Sequence, residues 1–300
     1  MSVAVMQPSA TRTLRAWIEL TKPRIVLLVL ITGLPAVLLA AKGAPPPRVF
    51  WGAGLGIVLA AAAAAAFNHY FDRDIDGLMV RTRNRPLPSG TLPAAAAPAL
   101  GLLLAWLSYV ILTVACNPLA AMVAMLNIFY YSIVYTVWLK RRTPQNIVIG
   151  GGAGASAPII AWVAVTGRIE LPAILIAAIV FFWTPPHFWA LSLYRRDDYV
   201  RANIPMLPVT HGEPETRRQI LLYSLGLVPL TLVAGPLSGF GPLYLGAAAV
   251  LGALFLAGAV RLWRRPETVH AVQLFRFSIV YLFVLFLAMT VDAFLGLRAA

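Results

Sequence analysis

A single cysteine, Cys116, occurs in the 300 residues, so no internal disulfide can form and nothing marks an oxidising compartment. Charge is also scarce: Asp, Glu, Lys and Arg make up 12% of the chain, against about a quarter in soluble domains. Acids are the rarer sign, 11 against 24 basic residues, which leaves a formal net charge of +13. With 60% apolar residues, the chain has more apolar surface than one water-soluble core could hide, so lipid is predicted to serve as part of its solvent. Residues 1–20 contain Arg12 and Arg15 but no apolar h-region, which argues against a secretory signal peptide. Acids are missing there until Glu19, a trait shared with mitochondrial presequences, although the chain leaves little room for a long one.

Long apolar runs fill the rest. A helix needs about 20 apolar residues to cross a bilayer, and nine segments qualify: 24–41, 50–71, 94–116, 119–139, 147–165, 171–193, 220–234, 243–262 and 277–297. The seventh is the shortest. The sequence thus predicts an all-α, polytopic fold forming one intramembrane domain over 1–300, with 1–20 as a cytoplasmic N-terminal segment.

Nine crossings put the termini on opposite sides. The N-terminal side then holds 20 of the 24 basic residues, leaving Lys42, Arg48, Arg168 and Arg298 opposite. The positive-inside rule places the N-terminus in the cytoplasm and the C-terminus across the membrane. A wrong number of crossings would scramble this asymmetry. The same split explains the net positive charge without nucleic acid. Outer connections such as 117–118 and 166–170 are tight, whereas the inner ones at 72–92 and 194–218 are long, polar and charged, which favours function. The alanine run 60–66 reads as a closely packed helix.

At the inner end of the second segment stands Phe67-Asn68-His69-Tyr70-Phe71-Asp72-Arg73-Asp74-Ile75-Asp76. Asn68, Asp72 and Asp76 are spaced by four, and each such step turns a helix only about 40° past a full circle and rises about 6 Å. A helix continuing that far carries one carboxamide and two carboxylates on a single stripe. Such oxygen ligands suit Mg²⁺ shared with substrate phosphates. A merely solvated helix end is the ordinary alternative, but acids there oppose the helix dipole. Asp74 faces off the stripe and reads as a partner for arginine.

Arg81-Thr82-Arg83-Asn84-Arg85-Pro86-Leu87-Pro88 follows at once. Arginine forks bind phosphate oxygens in bidentate fashion, so cation ligands and counter-charges for a diphosphate lie side by side. Arg81 and Arg85 are favoured over Arg83, with positive-inside charge as the ordinary alternative. A second basic cluster, Lys140-Arg141-Arg142, either reaches the same anion or only sets orientation. The glycines at 150–152 and 154 follow no strand and precede no Gly-Lys-Ser, so they point to helix packing rather than a phosphate loop.

A third constellation runs Trp183-Thr184-Pro185-Pro186-His187-Phe188-Trp189, then Tyr194-Arg195-Arg196-Asp197-Asp198-Tyr199. An ionisable His187 within a membrane segment is a functional candidate, although a histidine bonded to a neighbouring helix is the plainer option. Pro185 and Pro186 are expected to break the helix and open a pocket. Asp197 and Asp198 stand where a further metal carboxylate would be needed. The surrounding aromatics suit either cation–π shielding of an allylic cation or an interfacial belt.

At Asn68-x3-Asp72-x3-Asp76 the chain resembles the UbiA superfamily of intramembrane prenyltransferases, and within it the heme-directed branch. Further likeness lies in Thr21-Lys22-Pro23-Arg24, Arg81 through Leu87, Arg142-Thr143-Pro144-Gln145-Asn146 through Gly151, Pro186-His187-Phe188 and Asp198 through Pro208. It extends from about residue 20 to the C-terminus, and the block ending Asn203-Ile204-Pro205 is its most specific part. Quinone-directed members carry a second aspartate-rich motif at 187–198. Here His187 replaces its first aspartate and Asp197-Asp198 remain, as in the heme-directed branch.

The resemblance implies nine helices around a lipid-open cavity in a bacterial inner membrane. It implies that Asn68, Asp72 and Asp76, with Asp198, hold Mg²⁺ as cofactor. Arg81, Arg83, Arg85, Lys140 and Arg195 would bind the diphosphate of farnesyl diphosphate, with Arg81 and Arg85 stabilising its departure. The acceptor it implies is a vinyl group of heme B, the product heme O, and the receiver of that product a heme A synthase. His187 would orient heme or handle a water proton. A prenyltransferase acting on a quinone precursor or another tetrapyrrole is the neighbouring alternative. A transporter is more distant, since the polar groups gather at one face and transporters bind near the midplane; Asp292 alone lies deep in a segment, near its outer end.

Overall fold

The computed structural model describes residues 10–295. Residues 1–9 of the N-terminal segment, the last two residues of segment 277–297 and the outer Arg298 lie outside the described residues. Among those described, no strand occurs, and nine helical stretches are long and apolar enough to cross a bilayer. The chain is a multi-pass membrane protein.

Helix α1 (Ala10–Leu20) leads into α2 (Pro23–Ala41), α3 (Pro47–Phe71) and the single turn α4 (Arg73–Asp76). After a turn-rich loop come α5 (Ala96–Ala115) and α6 (Pro118–Phe129), which runs on as a π-helix, Tyr130–Leu139. Then follow α7 (Asn146–Gly154), α8 (Ser156–Thr166), α9 (Leu171–Tyr194), the short α10 (Arg196–Arg201) and α11 (Leu207–Thr210), and α12 (Gly212–Ser238), α13 (Pro242–Arg264) and α14 (Thr268–Leu295). Proline opens α2, α3, α6, α9 and α13, where its missing N–H costs nothing.

Consecutive membrane helices pack on one another, and α14 returns to pack against both α2 and α9, so the bundle closes into a ring. Large apolar side chains such as Trp106, Leu126, Leu254 and Phe283 remain exposed on its outside, as lipid contact demands. Small residues set the closest approach. Ala60 and Ala62–Ala66 are buried in α3, and the Ser108 hydroxyl of α5 donates to the Gly56 carbonyl of α3 at 2.8 Å. A methyl group on Gly52 would lie 2.4 Å from the Ala115 Cβ, and one on Gly56 2.4 Å from Leu112. The reading of the alanine run as a packed helix therefore holds. So does that of the later glycines, since a Cβ on Gly150 would strike the Tyr135 ring.

Four expectations about the helices need correction. Pro185 and Pro186 do not break α9, which runs through both as helix; packing against α7, α8, α12 and α14 overrides the local breaker. Segment 147–165 does form a membrane stretch, Asn146–Thr166, but as two helices meeting at Ala155 rather than one, because Pro158 lacks the N–H that would bond to Gly154 and sits in the first turn of α8. Segment 220–234 is the core of the much longer α12. Its first two turns are charged and held by the pairs Glu213–Arg217 and Glu215–Arg218, so an apolar scan overlooks them. The inner loop read as 194–218 is correspondingly short. Residues 10–20, read only as a cytoplasmic segment, form α1, whose Ala16 and Leu20 pack on Leu87, Leu92, Ala96 and Ala97 and so cover the inner loop.

Gly52→Ala should lower stability by about 1–3 kcal/mol, because neither helix backbone can retreat from the clash. Gly54→Ala meets only Leu30 at 3.8 Å and should be neutral or slightly stabilising. Thermal unfolding of the detergent-solubilised variants reads the difference; equal midpoints would contradict the close α3–α5 contact.

Candidate active site

The stripe anticipated on α3 is present. The helix bends at Asp72, yet the Asp76 amide still donates to the Asp72 carbonyl at 2.8 Å, so the spacing by four survives into α4. Asn68, Asp72 and Asp76 are all buried. Asn68 Nδ2 donates to Asp72 Oδ2 at 2.7 Å and to the Thr136 hydroxyl at 3.1 Å.

Basic residues from three other stretches close on this stripe. Lys140, at the end of the π-helix, bonds Asp72 Oδ2 at 2.5 Å, and Arg85 from the inner loop bonds Asp76 Oδ2 at 2.7 Å. Lys22, at the joint of α1 and α2, donates to Asn68 Oδ1. Its backbone is left-handed, with φ of 49°, an uncommon state for a residue with a side chain and one that recurs at working sites. Two carboxylate oxygens are left over: Asp72 Oδ1 and Asp76 Oδ1 are buried and have no hydrogen-bond partner among the described residues. Burying such atoms is costly unless a cation or donor meets them.

These groups form the mouth of a cavity of about 300 Å³. Lys22, Asn68, Asp76, Arg81, Arg85 and Lys140 line it, with Asp72 one hydrogen bond behind Asn68 and Lys140. Four basic side chains there face two acids, which leaves the mouth positive. The inner wall is apolar and aromatic, with Leu28 and Val29 from α2, Val180 and Phe188 from α9 and Leu282 from α14. Tyr131 and Tyr135 line it from the π-helix, whose i→i−5 bonding, as in the 2.9 Å bond from the Lys140 amide to the Tyr135 carbonyl, also turns Lys140 inward. His187 lines the same wall.

Not every anticipated residue joins this group. Arg83 and Arg195 are exposed and line no part of the cavity; Arg195 lies over the Tyr194 ring at 5.6 Å instead. Alternate positions in a turn-rich loop point different ways, which separates Arg83 from Arg81 and Arg85. Asp198 also stands off the lining. Its Oδ1 accepts from the Val80 amide at 3.2 Å and from Arg201 at 2.5 Å, tying the inner loop to α10. Burial pushes the Asp198 carboxyl up, but the bonds from Arg201 and the Val80 amide outweigh it and hold the group below the usual carboxylate range. Asp74 pairs with arginine as expected, both oxygens meeting Arg141 at 2.7 Å, and that hydrogen bonding depresses its pKa. Asp292 anchors the outer turn between α12 and α13 by accepting from the Gly241 amide. Lys22, Tyr131, Tyr135 and Asn146 line the cavity without having been singled out as site residues; the available signals were the Thr-Lys-Pro-Arg run for Lys22 and the Arg142–Gly151 run for Asn146.

The UbiA prenyltransferase family matches residues 29–290. The chain belongs to that family. Two similar relatives carry the name protoheme IX farnesyltransferase: one from Parvibaculum lavamentivorans is 48% identical over 94% of this chain and 90% of its own length. The other, from Ectopseudomonas mendocina, is 47% identical over 99% of this chain and its full length (100%). Among solved structures, digeranylgeranylglyceryl phosphate synthase in membranes superposes with a TM-score of 0.78 at 20% identity, covering 94% of this chain and 98% of that one. A UbiA homolog from Archaeoglobus fulgidus bound to DMAPP and Mg²⁺ gives 0.60 at 16% identity, covering 92% and 99%. The nine-helix ring is thus a UbiA fold, and its match to the family takes in every cavity-lining stretch except Lys22 and the start of α2.

Of the arginines in this UbiA protein, Arg81 lines the cavity with no ion-pair partner among the described residues, so its guanidinium is available to an anion. Arg81→Ala should weaken pyrophosphate binding in the presence of Mg²⁺ by about tenfold or more, the worth of one charge-assisted hydrogen bond. Arg83→Ala and Arg195→Ala should change it by less than about twofold, since neither side chain lines the cavity and a surface charge away from the anion is worth little. Calorimetric titration of the purified variants separates the two classes.

Proposed function

We propose that this chain is a protoheme IX farnesyltransferase, joining the farnesyl group of farnesyl diphosphate to a vinyl carbon of heme B to give heme O. The observation that carries the chemistry is the pair of carboxylate oxygens without a partner among the described residues, Asp76 Oδ1 on a residue lining the positive mouth of an apolar cavity and Asp72 Oδ1 on the residue just behind it. Hard oxygen donors left over in this way fit Mg²⁺, with Asn68, Asp72 and Asp76 as the residues to hold it. Bound there with a diphosphate, Mg²⁺ would neutralise charge on the leaving group. The acceptor follows from the names of relatives 44–48% identical over nearly the whole chain.

The chain's own residues supply the rest. Lys22, Arg81, Arg85 and Lys140 meet the remaining phosphate oxygens, whose negative charge grows as the carbon–oxygen bond breaks. The apolar wall receives the isoprenoid tail, and the faces of Tyr131, Tyr135 and Tyr199 shield the allylic cation. The vinyl group attacks that cation, the new carbon–carbon bond forms as diphosphate leaves, and water adds to the resulting porphyrin-side cation with loss of a proton. Asp198 serves by fixing the inner loop that carries Arg81 and Arg85, a positioning role and not metal ligation. The charge bias favours a bacterial inner-membrane setting with the cavity mouth toward the cytoplasm. Heme O would then pass to a heme A synthase.

Purified protein incubated with heme B, farnesyl diphosphate and Mg²⁺ should yield a heme of hydroxyethylfarnesyl mass, and EDTA should abolish the gain. Asp72→Asn should reduce turnover by at least about a hundredfold while membrane insertion persists. Mass spectrometry of extracted hemes reads both; prenylation of an added aromatic acid with heme unmodified would replace the acceptor.

A further inference from the structure

His187 is a histidine in the apolar wall of the cavity, and its surroundings fix which of its nitrogens carries the proton. Ser278 of α14 donates its only hydroxyl hydrogen to the Phe275 carbonyl at 2.6 Å. The same oxygen lies 2.6 Å from His187 Nδ1. With its hydrogen already used, Ser278 Oγ can only accept there, so Nδ1 carries the N–H. In the neutral ring Nε2 is then the bare nitrogen with a lone pair, and among the described residues it has no hydrogen-bond partner.

The ring is also held against rotation. Trp183 stacks on it at 4.2 Å with planes 19° apart, and Phe275 stacks at 4.7 Å and 26°. Trp183 is itself pinned, its indole N–H donating to the Ser278 carbonyl at 2.7 Å. A histidine whose Nδ1–H is spent on a protein oxygen, whose plane is clamped and whose Nε2 is bare is arranged as metal ligands of this residue type are. A plain packing role needs no bare nitrogen on a residue that lines the cavity.

We infer that His187 Nε2 is an axial ligand to the iron of the porphyrin acceptor, the bond that orients the porphyrin in the cavity. This rests on the heme-acceptor reading above. The iron is part of the substrate and is not consumed, so the ligation is a positioning interaction that precedes any bond making. Proximal histidine ligation of this kind is chemically ordinary for heme iron.

The test uses the full chain in lipid nanodiscs, titrated with ferric protoporphyrin IX or with the iron-free porphyrin, each against empty nanodiscs. The wild type should show an imidazole-ligated absorption spectrum and hold the iron porphyrin about tenfold or more tighter than the iron-free one. His187→Gly should lose both the spectrum and the preference for iron, and added imidazole should restore the spectrum. Ser278→Ala, which keeps the ligand but frees its tautomer, should weaken the iron porphyrin about tenfold. An imidazole-type spectrum that persists in His187→Gly, or a loss that imidazole does not restore, would overturn the ligation and leave heme as acceptor. Failure of the wild type to bind either porphyrin would overturn the acceptor reading along with it.

Discussion

Charge buried at the edge of an apolar medium must be paired, and the pairing of Lys22 with Asn68, Lys140 with Asp72 and Arg85 with Asp76 is the constraint around which this protein is assembled. Two of the pairs join stretches distant in sequence, and the third, Arg85 with Asp76, folds the inner loop back onto the end of the stripe. Lys22 comes from the joint of α1 and α2, Lys140 from the end of the π-helix, and Arg85 from the inner loop. All three converge on the single stripe that α3 and α4 present. The cluster therefore ties α3 and α4 to the α1–α2 joint, the π-helix and the inner loop, while close packing of small residues sets the approach of the helices themselves. It also sets the electrostatics: four basic groups against two acids at the mouth, with one oxygen of each acid unspent.

Packing carries this arrangement inward. Alanines and glycines let α3 and α5 approach closely, while α9 runs helical through its two prolines and brings Trp183, His187 and Phe188 to the cavity wall. The result is one cavity with two ends of different chemistry, a charged mouth that suits a diphosphate and an aromatic interior that suits an isoprenoid and a planar acceptor. Asp198 and Arg201 hold the loop that carries Arg81 and Arg85 to that mouth.

Much of this was legible because the relevant signals are local. Asn68, Asp72 and Asp76 announce themselves by spacing alone, and the bend at Asp72 leaves that spacing in place. The membrane segments follow from apolar run length. Where the reading fell short, the deciding interaction was either long-range or conformational. Lys22 meets Asn68 across 46 positions, through a left-handed backbone that no pattern reveals. Tyr131 and Tyr135 sit in an apolar run whose π-helical turn shifts the usual helical period. Arg83 looks like its neighbours in sequence and differs only in the direction the loop gives it. Pro185 and Pro186 are breakers in isolation, overridden by the helices packed around them.

The central claim is that Asn68, Asp72 and Asp76 bring a divalent cation and a diphosphate together. Pulsed electron paramagnetic resonance with Mn²⁺ in place of Mg²⁺ and pyrophosphate as the anion tests it most directly. The account predicts phosphorus hyperfine coupling on protein-bound Mn²⁺ in the wild type, lost when Asp72 and Asp76 are both changed to Asn. Coupling that survives the double substitution, or wild-type protein that binds pyrophosphate with no Mn²⁺ beside it, would contradict the account.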